Sequence, residues 1–367
     1  MNKTPLYEFH LKNNAELKLY GDFLTASKYN EFEQEYRAIR KNVGIIDMSG
    51  ITKIKISGES VTEWLNYVCT GNIFSVSDGK SVYTAVCKED GTIVALVNIL
   101  KDNDEYLVLT DAEKRVELLE WFNKNKQNNV QISDISDDYG CISIVGPKAI
   151  EIPKMIISED ILSLPYLGFE HDKINDFECI LYRFGLTGEY EYRFLVPTEK
   201  TLELWNKIID NGKELGIVCC GLDSLEIPML EMNSINQQKD ILPYATVLQL
   251  QLNWMVDFYK EKFIGKEAVL KEKSYGPIRK LVMFISEEGG FKENNKIYIE
   301  DEEIGFVVHY GYSPKLKVFV GLAYIKTEYA YSGISLELQS STDSKLVIDI
   351  VSAPLFLTDT VKGIKEG

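Results

Sequence analysis

Apolar residues along this chain recur mostly at every second position, and each such run stops at a Gly, Asp or Asn. ITKIKISGES, residues 51–60, alternates as a strand and then turns. YTAVCKEDGTIVALVNILKDNDEYLVLTD, 83–111, reads as three strands joined by turns at Asp90-Gly91 and at 102–104. AELKLYGDFLTA (15–26), CISIVG (141–146), ECILYRFG (178–185) and YEYRFLVP (190–197) are further strand patterns. Between them the spacing lengthens to the helical period. YNEFEQEYRAIRKNVG, 29–44, places apolar residues at 32, 36, 39 and 43 and predicts a helix ending at Gly44. VTEWLNYVC is a short helix with Ser60 or Thr62 as its cap, and AEKRVELLEWFNKNK and TLELWNKIIDNGKELG are amphipathic helices.

After about residue 276 the helical period disappears. KLVMFIS, KIYIEDEEIGFVVHYG, VFVGLAYI, ISLELQ and KLVIDIVS follow one another as short strands and turns. The pattern predicts an α+β protein: one lobe from residues 1–50 with 136–245, a second α+β lobe from 51–135, a connecting segment 246–275, and a C-terminal β-barrel domain over 276–367.

Composition narrows the function more than the fold. The chain has 367 residues, 45% hydrophobic and 26% charged, as expected of a globular protein with several cores. No apolar run reaches the length of a membrane helix, and MNKTPLYEFH lacks a signal-peptide core, so a cytoplasmic protein without a membrane partner is expected. A net charge of −16 argues against nucleic acid as a partner. The densest basic cluster, Lys260, Lys262 and Lys266, is broken by Glu261 and Glu267 and reads as a solvated face.

The six cysteines form no C-x-x-C pair and mostly sit in apolar runs, which suits reduced core thiols and no metal site. There are three histidines, His10, His171 and His309, and none lies in a nucleophile elbow. HExxH, GxxxxGK[ST] and GxGxxG are all missing, which removes the usual support for zinc-protease, P-loop and dinucleotide chemistry. The 21 tyrosines, many at strand ends, suit either a strand-rich core or a site that stacks flat rings.

A series of short motifs runs through this pattern in order: TPLYEFH (4–10), GIIDMSG (44–50), VGPKA (145–149), GLTGE (185–189), MLEMN (229–233), NWMV (253–256), FIGKEAVL (263–270) and YSPKL (312–316). In this order and at these distances the set resembles the aminomethyltransferase (T-protein) family of the glycine cleavage system and its folate-dependent relatives. The resemblance covers nearly the whole chain. It implies a three-lobed folate-binding fold with an all-β C-terminal domain, and tetrahydrofolate as cofactor.

The resemblance also assigns positions. Tyr83 falls where the family keeps a Tyr beside the folate, Trp254 on the Trp of its GLGW, and Asn72 on the Asn of its TTND turn. Asp47 and Ser49 match its DVSHM segment, with Gly50 in place of the His. The departures lie on the ligand side. The family's acidic GGIIDDLIV segment reads GTIVALVNI here, with Ala95 and Leu96 at the two aspartates and Ala95 taken as the catalytic position. The pterin-reading Glu falls on Arg193, an Arg becomes Leu225, a Tyr becomes Leu186 and a Glu becomes Gln249. A carboxylate accepts two N–H bonds from a pterin edge, whereas a guanidinium only donates, so Glu191, two residues from Arg193 on the same strand face, is the candidate substitute.

Those losses imply a paralogue with altered chemistry. The expected activity is a tetrahydrofolate-dependent methyl transferase, an O-, S- or N-demethylase acting on a small-molecule methyl donor. Its proton donor is sought at His309 and Tyr310, in a VVHYGYS segment that resembles the aromatic O-demethylase branch. Two alternatives stand beside it: the glycine cleavage aminomethyltransferase itself, with a lipoyl carrier protein as partner, and a non-catalytic folate- or ligand-binding protein.

Overall fold

The hairpins predicted between residues 83 and 111 form three consecutive strands, from one edge inward, of a five-stranded antiparallel sheet. Its order is Lys80–Cys87, Ile93–Asp102, Glu105–Thr110, Thr52–Ser57, Gln131–Asp134. Side chains alternate across it. Ala95, Val97 and Ile99 face the helices Val61–Val68 and Arg115–Lys124, packing with Trp64, Leu118 and Phe122, while Leu96 and Leu100 face inward. The coordinates, a computed structural model, describe residues 2–340 and 344–363.

A six-stranded sheet repeats this arrangement. Its order is Phe169–Ile174, Phe177–Arg183, Glu191–Pro197, Tyr139–Val145, Val43–Asp47, Ile217–Cys220. Only the last pair is parallel. Tyr192, Phe194 and Val196 pack against the helix Thr201–Gly212 and its buried Trp205, leaving Glu191, Arg193 and Leu195 on the opposite face. Leu100 and Leu109 of the five-stranded sheet and Cys141, Tyr182 and Leu195 of this one share a single apolar cluster, so the two inner faces meet. A three-stranded sheet of Asn2–Lys3, Phe23–Lys28 and Glu16–Tyr20 lies at the N-terminus.

Residues 279–351 close a six-stranded barrel. Leu281, Met283, Val320 and Leu322 pack with Leu230, Ile235 and Val247–Leu252 of the connecting chain, which in turn touches Leu96 and Ala85. The barrel therefore bears on the centre through that segment.

Three expectations change. The helix foreseen over 29–44 spans Phe32–Lys41, because Val43 already begins a sheet strand. Ser60 occupies the N-cap of Val61–Val68, but its side chain makes no capping bond. Lys260 is not part of a solvated face: it is 7% exposed, and its ammonium donates to the carbonyls of Cys69 at 2.7 Å, Gly71 at 2.8 Å and Asn66. Asn66 lies in the last turn of the helix Val61–Val68 and Cys69 and Gly71 just beyond it, where intrahelical partners run out.

Several of the sequence motifs converge on Arg40. Its guanidinium donates to Glu231 of MLEMN at 2.6 Å and to the Thr187 carbonyl of GLTGE at 2.6 Å, with Glu189 at 3.5 Å. Tyr36 and Ser313, the latter from the barrel, donate to the other Glu231 oxygen at 2.7 and 2.6 Å. Thr360 donates to Glu189 through both its N–H and its hydroxyl. Arg40, Glu189 and Glu231 are all buried, so each charge depends on the others.

Candidate functional site

The inner faces of the two sheets and the 222–238 segment enclose a central cavity of about 120 Å³. A second, more open space of about 380 Å³ continues from it, and Tyr83, Leu96, Leu186 and Ile235 line both. Such a channel is large enough for a ligand of several rings.

Aromatic rings form one wall. Tyr83 meets Phe184 edge-on at 5.2 Å and Trp254 at 6.1 Å, and Phe184 stacks with Tyr166 at 6.1 Å and with Tyr182 at 5.7 Å. Trp254 remains 67% exposed at the mouth. Burial pushes the Tyr83 phenol up, so it stays protonated at neutral pH.

On the six-stranded sheet, Arg193 lies over the Phe184 ring at 5.0 Å and donates to Glu191 Oε1 through Nε at 2.9 Å and Nη2 at 2.8 Å. The Ser143 hydroxyl donates to the same oxygen at 3.0 Å. Burial opposes the charge on Arg193, but Glu191 holds the guanidinium protonated above its ordinary range. A Cβ at Gly185 would lie 2.5 Å from the Glu191 Cβ and 2.7 Å from Oε2, so that glycine makes room for this carboxylate. Glu191 thus faces the cavity from the same side as Arg193, with one oxygen committed to the pair.

Across the cavity the five-stranded sheet opens. Ladder pairing between Ile93–Asp102 and Glu105–Thr110 stops at Asn98 opposite Leu109. Beyond it the Gln237 side chain takes the partner's place: its oxygen accepts from the Leu96 N–H at 2.7 Å, and its amide donates to the Leu96 carbonyl at 3.0 Å. Thr110 also donates to that carbonyl at 2.7 Å. The Tyr20 hydroxyl donates to Asp111 Oδ1 at 3.2 Å. Burial pushes the Asp111 carboxyl up, with Tyr20 and Arg193 opposing. The Asn98 side chain accepts from the Tyr182 hydroxyl at 2.7 Å.

Of the residues expected from sequence, Tyr83, Glu191, Arg193 and Trp254 come together around this space. Gln249 turns toward the barrel: its backbone carbonyl accepts from the Leu281 N–H at 2.7 Å and its side chain from Arg279 at 3.4 Å. Asn72 sits in the loop after Val61–Val68, its Oδ1 buried without a partner among the described residues, and lines neither part of the channel. His309 and Tyr310 lie in the barrel strand Glu302–Ser313 and do not reach the cavity lining. The His309 ring is buried against Asp240 at 3.2 Å, and Tyr310 packs on Phe291 at 4.8 Å.

Ala95 is corrected as the position where an acid would act. It faces the helices of its own lobe, and strand alternation puts Leu96 at the cavity instead. The residues that sequence reasoning missed are Phe184, Asn98, Gln237, Tyr20 and Asp111. The signal for Asp111 was available in the hairpin turn at 102–104, which fixes the register of both strands.

Family profiles cover the chain in two blocks. The one described as GCVT N-terminal domain matches residues 6–260, and the one described as glycine cleavage T-protein C-terminal barrel domain matches 279–356. The aminomethyltransferase of Alkaliphilus oremlandii is 32% identical over 99% of this chain and 99% of its own length. That of Halothermothrix orenii is 29% identical over 92% of this chain and 95% of its own. Among solved structures, the glycine cleavage system aminomethyltransferase T from Bartonella henselae superposes with a TM-score of 0.89 at 19% identity, over 97% of this chain and 98% of that one. That likeness shows the fold.

Proposed function

The chain belongs to the glycine cleavage T-protein family, and from that premise we propose that it is a tetrahydrofolate-dependent aminomethyltransferase served by a lipoyl carrier protein. The observation that carries the reading is the central channel, with a flat aromatic wall and polar groups on two facing strands, in a chain similar to aminomethyltransferases over 99% of its length.

The donor set fits a folate. Tyr83, Phe184 and Trp254 would hold its aromatic parts by stacking and edge contacts. Asn98, Thr110, Asp111, Gln237, Glu191 and Arg193 supply both donors and acceptors to a pterin edge. Bound there, tetrahydrofolate supplies the nitrogen atoms that take up a one-carbon unit. Leu96, Leu186 and Ile235 keep the middle of the channel apolar, which limits water where such a unit would be exposed to hydrolysis. Arg193 stays charged and fixed by Glu191, so it can donate to a ligand oxygen without taking a proton.

A second reading is favoured by Leu96. An apolar side chain where the family keeps an acid suits methyl transfer from a methoxy, methylthio or methylamino donor, in which no ammonia is released. Calorimetric titration with tetrahydrofolate and with 5-methyl-tetrahydrofolate, followed by product analysis, separates the two. Micromolar binding and ammonia release from an aminomethyl-loaded lipoyl carrier would support the first. Binding without ammonia, but with methyl uptake from a small donor, would sink the first and keep the second. No binding at millimolar folate would sink both.

A further inference from the structure

The cavity contains a carboxylate one strand away from the position where the sequence lacks one. Four carboxylates line the central space: Asp111, Glu113, Glu191 and Glu226. Glu191 is tied to Arg193 and Glu226 to Lys239 at 2.8 Å. Asp111 is held by a neutral group, the Tyr20 hydroxyl at 3.2 Å. Its placement follows from the ladder. Asn98 stands opposite Leu109, and Ile99 opposite Val108. Continuing that register by two residues counts Asp111 to the level of Leu96, where the ladder has ended and the Gln237 amide bonds the Leu96 backbone and the Thr110 hydroxyl. The strands have parted there, and the Leu96 and Asp111 side chains both line the central cavity.

We propose that Asp111 is the proton-carrying carboxylate of this channel, standing across the hairpin from Leu96. The proposal rests on the folate-dependent reading above. The step is a proton transfer. When a ligand nitrogen is protonated, the Asp111 O–H bond breaks, the nitrogen lone pair forms the N–H bond, and the carboxylate keeps the electrons. The return transfer reverses this and needs no other reactant. The groups that face Asp111 are Tyr20 and Lys18 from Glu16–Tyr20, Glu113 and Lys114 from its own turn, Arg193 and Glu191 from Glu191–Pro197, and the neutral Thr110 and Gln237. Burial favours the protonated form, and Arg193 keeps that preference within reach of reversal.

The test is calorimetric titration with tetrahydrofolate in two buffers of different ionisation heat, at several values from about pH 5 to 8. Wild type should exchange a fraction of a proton on binding. Asp111→Asn should abolish that exchange with unchanged thermal unfolding, and Glu113→Gln should keep it. Turnover of Asp111→Asn should fall about 10²–10⁴-fold, and Leu96→Asp added to it should restore part of the loss. Equal proton exchange in wild type and Asp111→Asn would overturn the proposal while leaving folate binding intact. So would loss of exchange in Glu113→Gln instead. Failure of wild type to bind folate would overturn the folate reading itself, and the proposal with it.

Discussion

Tyr83 lines both parts of the channel, and its contacts there are ring to ring. Tyr83→Ala should therefore weaken tetrahydrofolate binding about fivefold, the loss of roughly 1 kcal/mol of aromatic contact, with little change in the unfolding temperature. Calorimetry on the variant checks it. Arg193 behaves differently, because Glu191 depends on it. Arg193→Met leaves a buried carboxylate with only the Ser143 hydroxyl and should cost about 3–5 kcal/mol of stability, measured by denaturant unfolding. A third residue carries a pH signature. Burial works against the charge of Asp47, but His10 at 2.8 Å and Ser49 outweigh it and hold the carboxyl below its usual range. A depressed folded value means that Asp47 contributes its stabilisation fully above the unfolded value of about 3.9 and loses it as pH falls through the folded one. The stability gap between wild type and Asp47→Asn should then be constant from pH 7 to about 5 and shrink below about 4.

Among the elements, the short helix Gln237–Asp240 transmits the barrel to the cavity. Asn236 caps it, accepting from Gln238 and Lys239, and Asp240 accepts from the Asn236 N–H at 2.7 Å and pairs with His309 at 3.2 Å. Gln237, on the same turn, clamps the Leu96 backbone. His309→Ala should release this helix without touching the channel. Amide hydrogen exchange at 236–240 and at Leu96 should speed up, while exchange in the outer barrel strands stays unchanged. The hairpin that positions Asp111 was legible in the chain. Asn103, at φ 53°, and Asp104 form a two-residue turn between Asp102 and Glu105, and that turn alone counts Asp111 to a place opposite Leu96. Gln237 was not legible. It reaches Leu96 across 141 residues of sequence, and neither its type nor its surroundings in MLEMNSINQQKD mark it. The same applies to Lys260, whose three carbonyl partners come from the end of a distant helix.

At the scale of the molecule, alternation and turn chemistry sufficed for the strands of both lobes and the barrel, because each lobe sheet buries one face on its own helices and the barrel buries one face within itself. The channel was less visible, because its wall is the other face of two sheets, and no local pattern says which face meets which. Arg40 is where the parts lock together. Arg40→Met should lower stability by about 3–5 kcal/mol, since Glu189 and Glu231 would stay buried without it, and the lobes and barrel should melt in one lowered transition by calorimetry. The geometry of that lock has a consequence for how the protein is made. A ribosome delivers Arg40 first, Glu189 and Glu231 well over a hundred residues later, and Ser313 and Thr360 later still. Until Glu189 and Glu231 emerge, the first lobe carries a cation whose burial nothing compensates. Nascent chains stalled before residue 231 should be prime substrates for proteolysis, and chains stalled just after it less so.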